Sequence, residues 1–236
     1  MITLLLLLAH LIGDFVLQPK SWVNAKQRQK IKSPYLYLHV LVHLALMLAL
    51  IRIVIGDFSL WWVAIIVSCL HFLIDALKII FQNIRTKKRW FFIDQILHLT
   101  VIAAVGCYFG EISISLAQNA FFWKVITGIV FVGQVSSIIV KTLISGFTPE
   151  ATAADKLGTE SLENAGNYIG ILERLLVFTF IVVGHWEGVG FMIAAKSVFR
   201  YSDLVQAKQR KLTEYVLIGT LLSFGLAIVS GILVTL

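Results

Sequence analysis

Apolar runs of about twenty residues recur along this chain, separated by short polar turns, and this recurrence decides the fold class before anything else. A helix of about 20 residues crosses the ~30 Å hydrocarbon layer of a bilayer, and inside lipid only helices and closed barrels satisfy their own backbone polar groups. The runs occupy residues 2–17, 35–55, 60–81, 91–109, 121–144, 168–184 and 215–236, with a shorter segment, 189–201, after the turn His185-Trp186-Glu187-Gly188. Composition agrees: the 236 residues are 58% hydrophobic, with mean hydropathy +0.88 and only 14% charged residues, against roughly 25% in soluble domains. Such a chain is too apolar to be disordered or to cover itself as a water-soluble globule. Cys69 and Cys107 both sit inside apolar runs, so there is no disulfide framework. The expectation is an all-α polytopic transmembrane bundle of about seven spans plus a short return helix.

The net charge of +7 reports topology here. Lys20, Lys26, Arg28, Lys30 and Lys32 follow the first run, Arg85, Lys87, Lys88 and Arg89 follow the third, and Lys208, Arg210 and Lys211 precede the last. Basic loops stay cytoplasmic, which places both termini on the non-cytoplasmic side. The same scatter into short loops argues against a nucleic-acid partner, because no separable basic domain exists. The stretch 145–167 is polar and acidic and reads as the longest loop. By chemistry the chain divides into residues 1–110, which carry histidine and aspartate pairs, and 111–236, which carry a different set of intramembrane charges.

Five of the six histidines fall in four similar settings: His10-x-x-x-Asp14, His39-x-x-x-His43, His71-x-x-x-Asp75 and Asp94-x-x-x-His98. Residues four apart share a helix face, so each pair can aim two ligands at one place. The loop-derived orientation puts all four pairs in the cytoplasmic half of their spans, in a slab roughly 5–16 Å below the membrane edge at 1.5 Å per residue. An Asp at mid-span costs about 2.5–3.5 kcal/mol on insertion scales. Three of them in one layer, with no equal number of buried Lys or Arg in those spans, call for a cation. Five imidazoles and three carboxylates suffice for one or two divalent ions, with Zn the first choice and Mn or Fe next for a mixed N/O set. Gln18 and Gln95 read equally as donors of hydrogen bonds that orient the ligands and as ordinary interfacial polar residues. Two plainer readings stand beside this one: the pairs form a structural hydrogen-bond network, and Lys78 is a snorkelling charge at a helix end.

In the second half, Glu173 and Arg174 lie inside the sixth run, Lys196 and Arg200 lie four apart on the return segment, and Glu214 opens the last span. These charges either pair with one another, as Glu173 with Lys196, or present Arg174, Lys196 and Arg200 to a phosphate group. His185 falls on the opposite face of the membrane from the four pairs.

The segments AHLIGDFVLQ, HVLVH, HFLID and FFIDQILHLT resemble the bacterial integral-membrane family of domain of unknown function 3307 over roughly residues 1–110. GILERLLVF, AAKSVFR and EYVLIGTLLSF resemble the C-terminal part of its longer members. The N-terminal motifs are also similar to those of inner-membrane metal-dependent hydrolases. That resemblance implies His10, Asp14, His39, His43, His71, Asp75, Asp94 and His98 as metal ligands in a bacterial inner membrane. It implies hydrolysis and names no substrate. A site at head-group depth suggests a membrane lipid or lipid-linked phosphate as substrate, with Asp94 or Asp14 taking the proton of the attacking water. A metal-ion or proton transporter using the same pairs is the alternative, though it needs polar residues continuing to the outer face, and the first four runs offer few. Di-iron oxygenase chemistry lacks its adjacent His-His boxes here, and a b-type haem fits the Asp-partnered histidines less well than an ion does. Oligomeric state is not readable from the sequence.

Overall fold

The computed structural model describes residues 1–56, 58–109, 120–146, 159–204 and 210–236, with backbone alone at 159–164, 199–204 and 210–213. Every described secondary-structure element is helical: α1 (Ile2–Phe15), α2 (Lys20–Gln29), α3 (Pro34–Ile55), α4 (Trp61–Phe81), α5 (Lys87–Phe109), α6 (Ala120–Val130), α7 (Ser136–Ile144), α8 (Thr159–Val182), α9 (Trp186–Leu204) and α10 (Arg210–Thr235). A 3₁₀ turn, Lys30–Lys32, precedes α3, and a π-helical turn, Phe131–Val135, joins α6 to α7. Six segments are long and apolar enough to cross a bilayer: Pro34–Ile55, Trp61–Phe81, Lys87–Phe109, Ala120–Ile144, Ala165–Val182 and Glu214–Thr235. The polytopic helical bundle read from the apolar runs is therefore what the chain forms.

The first apolar run departs from expectation. Its 14 residues make a helix of about 21 Å, short of the ~30 Å layer. The chain then turns by 81°. Pro19 stands at the start of α2 with φ −71° and ψ 154°, and the residue that follows the turn opens a polar helix, KSWVNAKQRQ. Only α1 and α2 taken together as a bent pair make a seventh candidate span. The stretch 145–167 also differs from a simple loop, since α8 begins at Thr159; residues 147–158 lie outside those described, as does the expected boundary at 110/111.

The chain divides into two compact units, Met1–Thr127 and Gly128–Leu236. In the first, α1 packs between α3 and α5, and α4 closes the ring against the same two helices. Because α1 is central it is buried along most of its length. Its Ile2, Leu6 and Ala9 meet Met47, Ile51, Val63, Val67 and Ile102 in one apolar core. Gly106 lets α5 approach α1 closely, for a Cβ there would lie 2.0 Å from Thr3 Oγ1. Outward residues such as Leu41, Leu73 and Ile96 are exposed, as lipid-facing side chains are.

In the second unit, α8 packs against α10 and the π turn. The buried Arg174 of α8 organises this contact. It donates from Nε to Val132 O at 2.5 Å, from a terminal nitrogen to Ser223 Oγ at 3.0 Å, and from the other to Gly133 O at 3.0 Å and to Ser137 Oγ. A π turn breaks the regular carbonyl ladder, and the guanidinium supplies donors to two of the carbonyls there. At the α8–α9 turn His185 donates to Glu187 at 2.9 Å. This exposed carboxyl is held below its ordinary pKa, first by a backbone N–H and then by His185.

Candidate metal centre

The i, i+4 spacing places each ligand pair on one face of its own helix, and the ring of α1, α3, α4 and α5 turns those faces to a common point. Asp14, in the last turn of α1, stands at the centre. Its Oδ1 lies 3.0 Å from His43 Nε2, 3.1 Å from His39 Nε2 and 3.6 Å from His71 Nε2, while Oδ2 lies 3.9 Å from His10 Nε2. His39 and His71 face each other Nε2 to Nε2 at 3.2 Å. His98 Nε2 lies 3.4 Å from Asp94 Oδ1 and 3.8 Å from Asp75 Oδ1. All five imidazoles are at most 3% exposed. Every one of the eight residues expected to converge does so.

Small residues and amides hold the geometry. His43 can come close to α1 because position 13 is glycine, where a Cβ would stand 2.4 Å from His43 Cε1 and Nε2. Gln95 accepts from His10 Nε2 at 3.2 Å and donates to Asp14 Oδ2 at 3.0 Å and to Asp94 Oδ2 at 3.1 Å. It ties α5 to α1. Gln18 stands instead on the wall of a cleft below the cluster.

The charge balance corrects the sequence reading. Lys78 donates to Asp94 Oδ2 at 2.6 Å, and Lys26, buried on α2, donates to Asp75 Oδ2 at 2.7 Å. Lys78 is thus a member of the cluster and not a snorkelling end charge. Two of the three carboxylates have ammonium partners, so the need for an added cation falls to one net negative charge, centred on Asp14. Lys78 was visible in the sequence one turn beyond Asp75. The role of Lys26 was hidden, because α2 had to fold back before its lysine could meet α4.

The donors fit a metal ion on three observations. Asp94 Oδ1 and His98 Nε2 are buried, face one another and make no hydrogen bond, and His39 Nδ1 is also without a partner. Orphaned buried acceptors of this kind are uncommon. One ligand atom each from His10, Asp14, His43 and His71 lie mutually within 4.8 Å, as do those of His39, His71 and Asp75, and of Asp14, Asp94 and His98. Ligands at about 2.1 Å around a tetrahedral ion stand about 3.4 Å apart, within the spread of separations here. A cavity of about 10 Å³ lies among His10, His43, His71 and His98, room for about one water.

In the second unit the expected anion-binding residues are otherwise engaged. Arg174 uses its guanidinium on the π turn and Ser223. Lys196 is ion-paired with Glu173, the plainer of the two sequence readings. The side chain of Arg200 lies outside the described residues.

Fold and site together define a polytopic helical bundle with a buried histidine and aspartate cluster in its first unit. Residues 2–126 match the family described as Protein of unknown function (DUF3307), more than half of the chain, and the chain belongs to that family. All eight cluster residues fall inside the match; Arg174, Lys196 and Arg200 fall outside it. No curated protein and no solved structure matches the chain.

Proposed function

We propose that this protein is an inner-membrane metal-dependent hydrolase acting on a lipid-linked or phosphate-ester substrate at head-group level near the cytoplasmic leaflet. One observation carries the reading: five imidazole Nε2 atoms and three carboxylates from four helices converge, leaving Asp94 Oδ1 and His98 Nε2 with no hydrogen-bond partner. His10, Asp14, His43 and His71 form one candidate ligand set, and Asp14, Asp94 and His98 another. The mixed N/O donors favour Zn, then Mn or Fe. When bound, such an ion lowers the pKa of a water toward 7 and polarises a phosphoryl or acyl oxygen.

The remaining roles belong to the chain itself. With an ion held by His10, Asp14, His43 and His71, Asp94 would keep Oδ1 free of both metal and hydrogen bonds and so be better placed than Asp14 to accept a proton from the attacking water. Asp14 Oδ1 already meets His39 and His43. Gln95 fixes both carboxylates, and Gly13 fixes His43. Likeness to metal-dependent hydrolases and a bacterial inner-membrane location, with outward termini, belong to this reading as well.

Transport through the same pairs is less well supported. Apart from the cluster's own imidazoles and carboxylates, the described buried residues of α1, α3, α4 and α5 are apolar except Ser68, so among the described residues few buried polar groups lead away from the cluster across the unit. Elemental analysis of purified wild type, His43→Ala and Asp94→Ala tests the metal. Wild type is expected to carry one or two ions and each variant measurably less; equal metal in all three sinks the site. Phosphate release from a lipid phosphate in nanodiscs, set against ion flux into liposomes, separates hydrolysis from transport.

A further inference from the structure

Below the cluster, α2, the end of α4 and the start of α5 enclose a cleft of about 470 Å³, within the range of ligand pockets. Four lysines line it, Lys26, Lys30, Lys78 and Lys87, against a single carboxylate, that of Asp75. Lys30 also donates to the carbonyls of Ile79, at 2.5 Å, and Gln82, at 3.3 Å, at the end of α4. Two of the cleft lysines are the same two that reach the cluster. Lys26 and Lys78 stand between the carboxylates above and the cleft below. On one wall Ile84 is 96% exposed. Trp22 stacks on Tyr35 and Phe81 on Trp90 at this end of the unit, and aromatic residues of this kind mark head-group level in membrane proteins.

We infer that this cleft binds a phosphoryl anion, and that Lys26 and Lys78 are shared between that anion and the carboxylates Asp75 and Asp94. The inference rests on the metal reading above and adds to it the place and chemistry of the substrate group. The electrostatics supply the reason. Three carboxylates against two ammoniums leave one negative charge in the cluster. A divalent cation turns that into one net positive charge; held through Oδ1 of Asp94 it leaves the Oδ2 contact of Lys78 in place, but it draws on the carboxylate charge that compensates the lysines. The two ammoniums are then under-compensated at the edge of a low-dielectric layer, where an unpaired charge is costly. A phosphoryl group in the cleft meets them, and Lys30 and Lys87 add to the same field. Lysine binds phosphate as a point charge, with no fixed geometry required, which suits a side chain shared between two partners. Cation and anion should therefore each strengthen the binding of the other, by the same factor.

The test uses purified full-length protein, stripped with chelator, in nanodiscs of phosphatidylcholine. Titration calorimetry measures zinc alone, inorganic phosphate alone, and each in the presence of the other. A second arm measures zinc in nanodiscs containing phosphatidic acid. We expect phosphate to bind at least tenfold tighter with zinc present, and zinc to tighten by the same factor with phosphate. If phosphatidic acid reproduces the effect on zinc, the anion is a lipid head group; if only free phosphate does, it is a soluble ester. Lys78→Met should weaken phosphate at least tenfold while zinc binds as tightly or tighter. Lys87→Glu, at an exposed position that touches no carboxylate, should weaken phosphate severalfold with zinc unchanged. Zinc bound normally while phosphate affinity ignores both zinc and the lysine variants overturns the cleft and leaves the metal centre standing. Failure of wild type to take up any metal removes the centre, and this inference with it.

Discussion

The ammonium of Lys78, on α4, stands 2.6 Å from Oδ2 of Asp94, on α5. The contact joins two neighbouring helices at the depth of the histidine cluster, and it makes one carboxylate both an ion-pair partner and a candidate ligand. Removing one member of a buried pair leaves the other without compensation. In metal-free protein, Asp94→Asn should lower stability by about 2–3 kcal/mol, less than the ~3–5 typical of a fully enclosed pair, because the Lys78 side chain is 24% exposed. The double variant Lys78→Met/Asp94→Leu should recover most of the loss. Denaturant unfolding in detergent measures this; a double variant as damaged as the two single changes combined would show that the groups are not coupled.

At Gly13 a Cβ would stand 2.4 Å from the ring of His43. A methyl group there overlaps the ring, so Gly13→Ala should displace His43, cost about 1–3 kcal/mol and lower zinc affinity at least tenfold. The same substitution in a His43→Ala background should add little, since its clash partner is gone. Equal costs in both backgrounds would place the effect elsewhere on α1.

Metal binding to the folded state alone raises stability by about 2.7 kcal/mol at a free concentration one hundred times the Kd. Zinc should therefore raise the thermal midpoint of wild type, and chelator should reverse the rise. In His43→Ala and Asp14→Asn the shift should vanish or shrink sharply. A shift of the same size in both variants would assign zinc to some other site.

Arg174 is committed to the π turn and to Ser223. Arg174→Met should destabilise the protein by at least the ~1.5–3 kcal/mol associated with a single hydrogen bond to a charged group, and Arg174→Lys should restore only part of it, because one ammonium cannot span the carbonyls of Val132 and Gly133 and the two serine hydroxyls. Zinc content per chain should stay at the wild-type value. Loss of zinc in Arg174→Met would reveal a role for the second unit in the metal centre.

The orientation proposed from the loop charges puts the turn between α4 and α5 on the cytoplasmic side and the α8–α9 turn opposite. With Cys69 and Cys107 replaced by serine, a cysteine at Asn83 should react with an impermeant thiol reagent only in inverted vesicles, and one at His185 only in intact cells. The reverse pattern would turn the whole map over.

The apolar runs and the i, i+4 pairs were legible because both are local. Hydropathy over about twenty residues marks a span, and helical periodicity alone puts His71 and Asp75 on one face, whatever they later meet. Gly13 left a trace as well, a lone glycine between His10 and Asp14 in an otherwise apolar helix. Lys26 left none. It lies 49 residues from Asp75, and nothing in its own surroundings marks it as buried. Arg174 was ambiguous for the same reason: one buried guanidinium can face a ligand or a broken carbonyl ladder, and only the position of the π turn decides which.

The sequence by itself determined that the chain forms a helical membrane bundle and which residues of its first four apolar runs share a face. The tertiary structure decided the partners. The 81° turn after α1 brought α2 beneath the cluster, gave Asp75 its lysine and closed the cleft. The difference is physical: periodicity is fixed by the 3.6-residue helical turn, whereas the energy of a buried charge depends on every group that surrounds it, most of them distant along the chain.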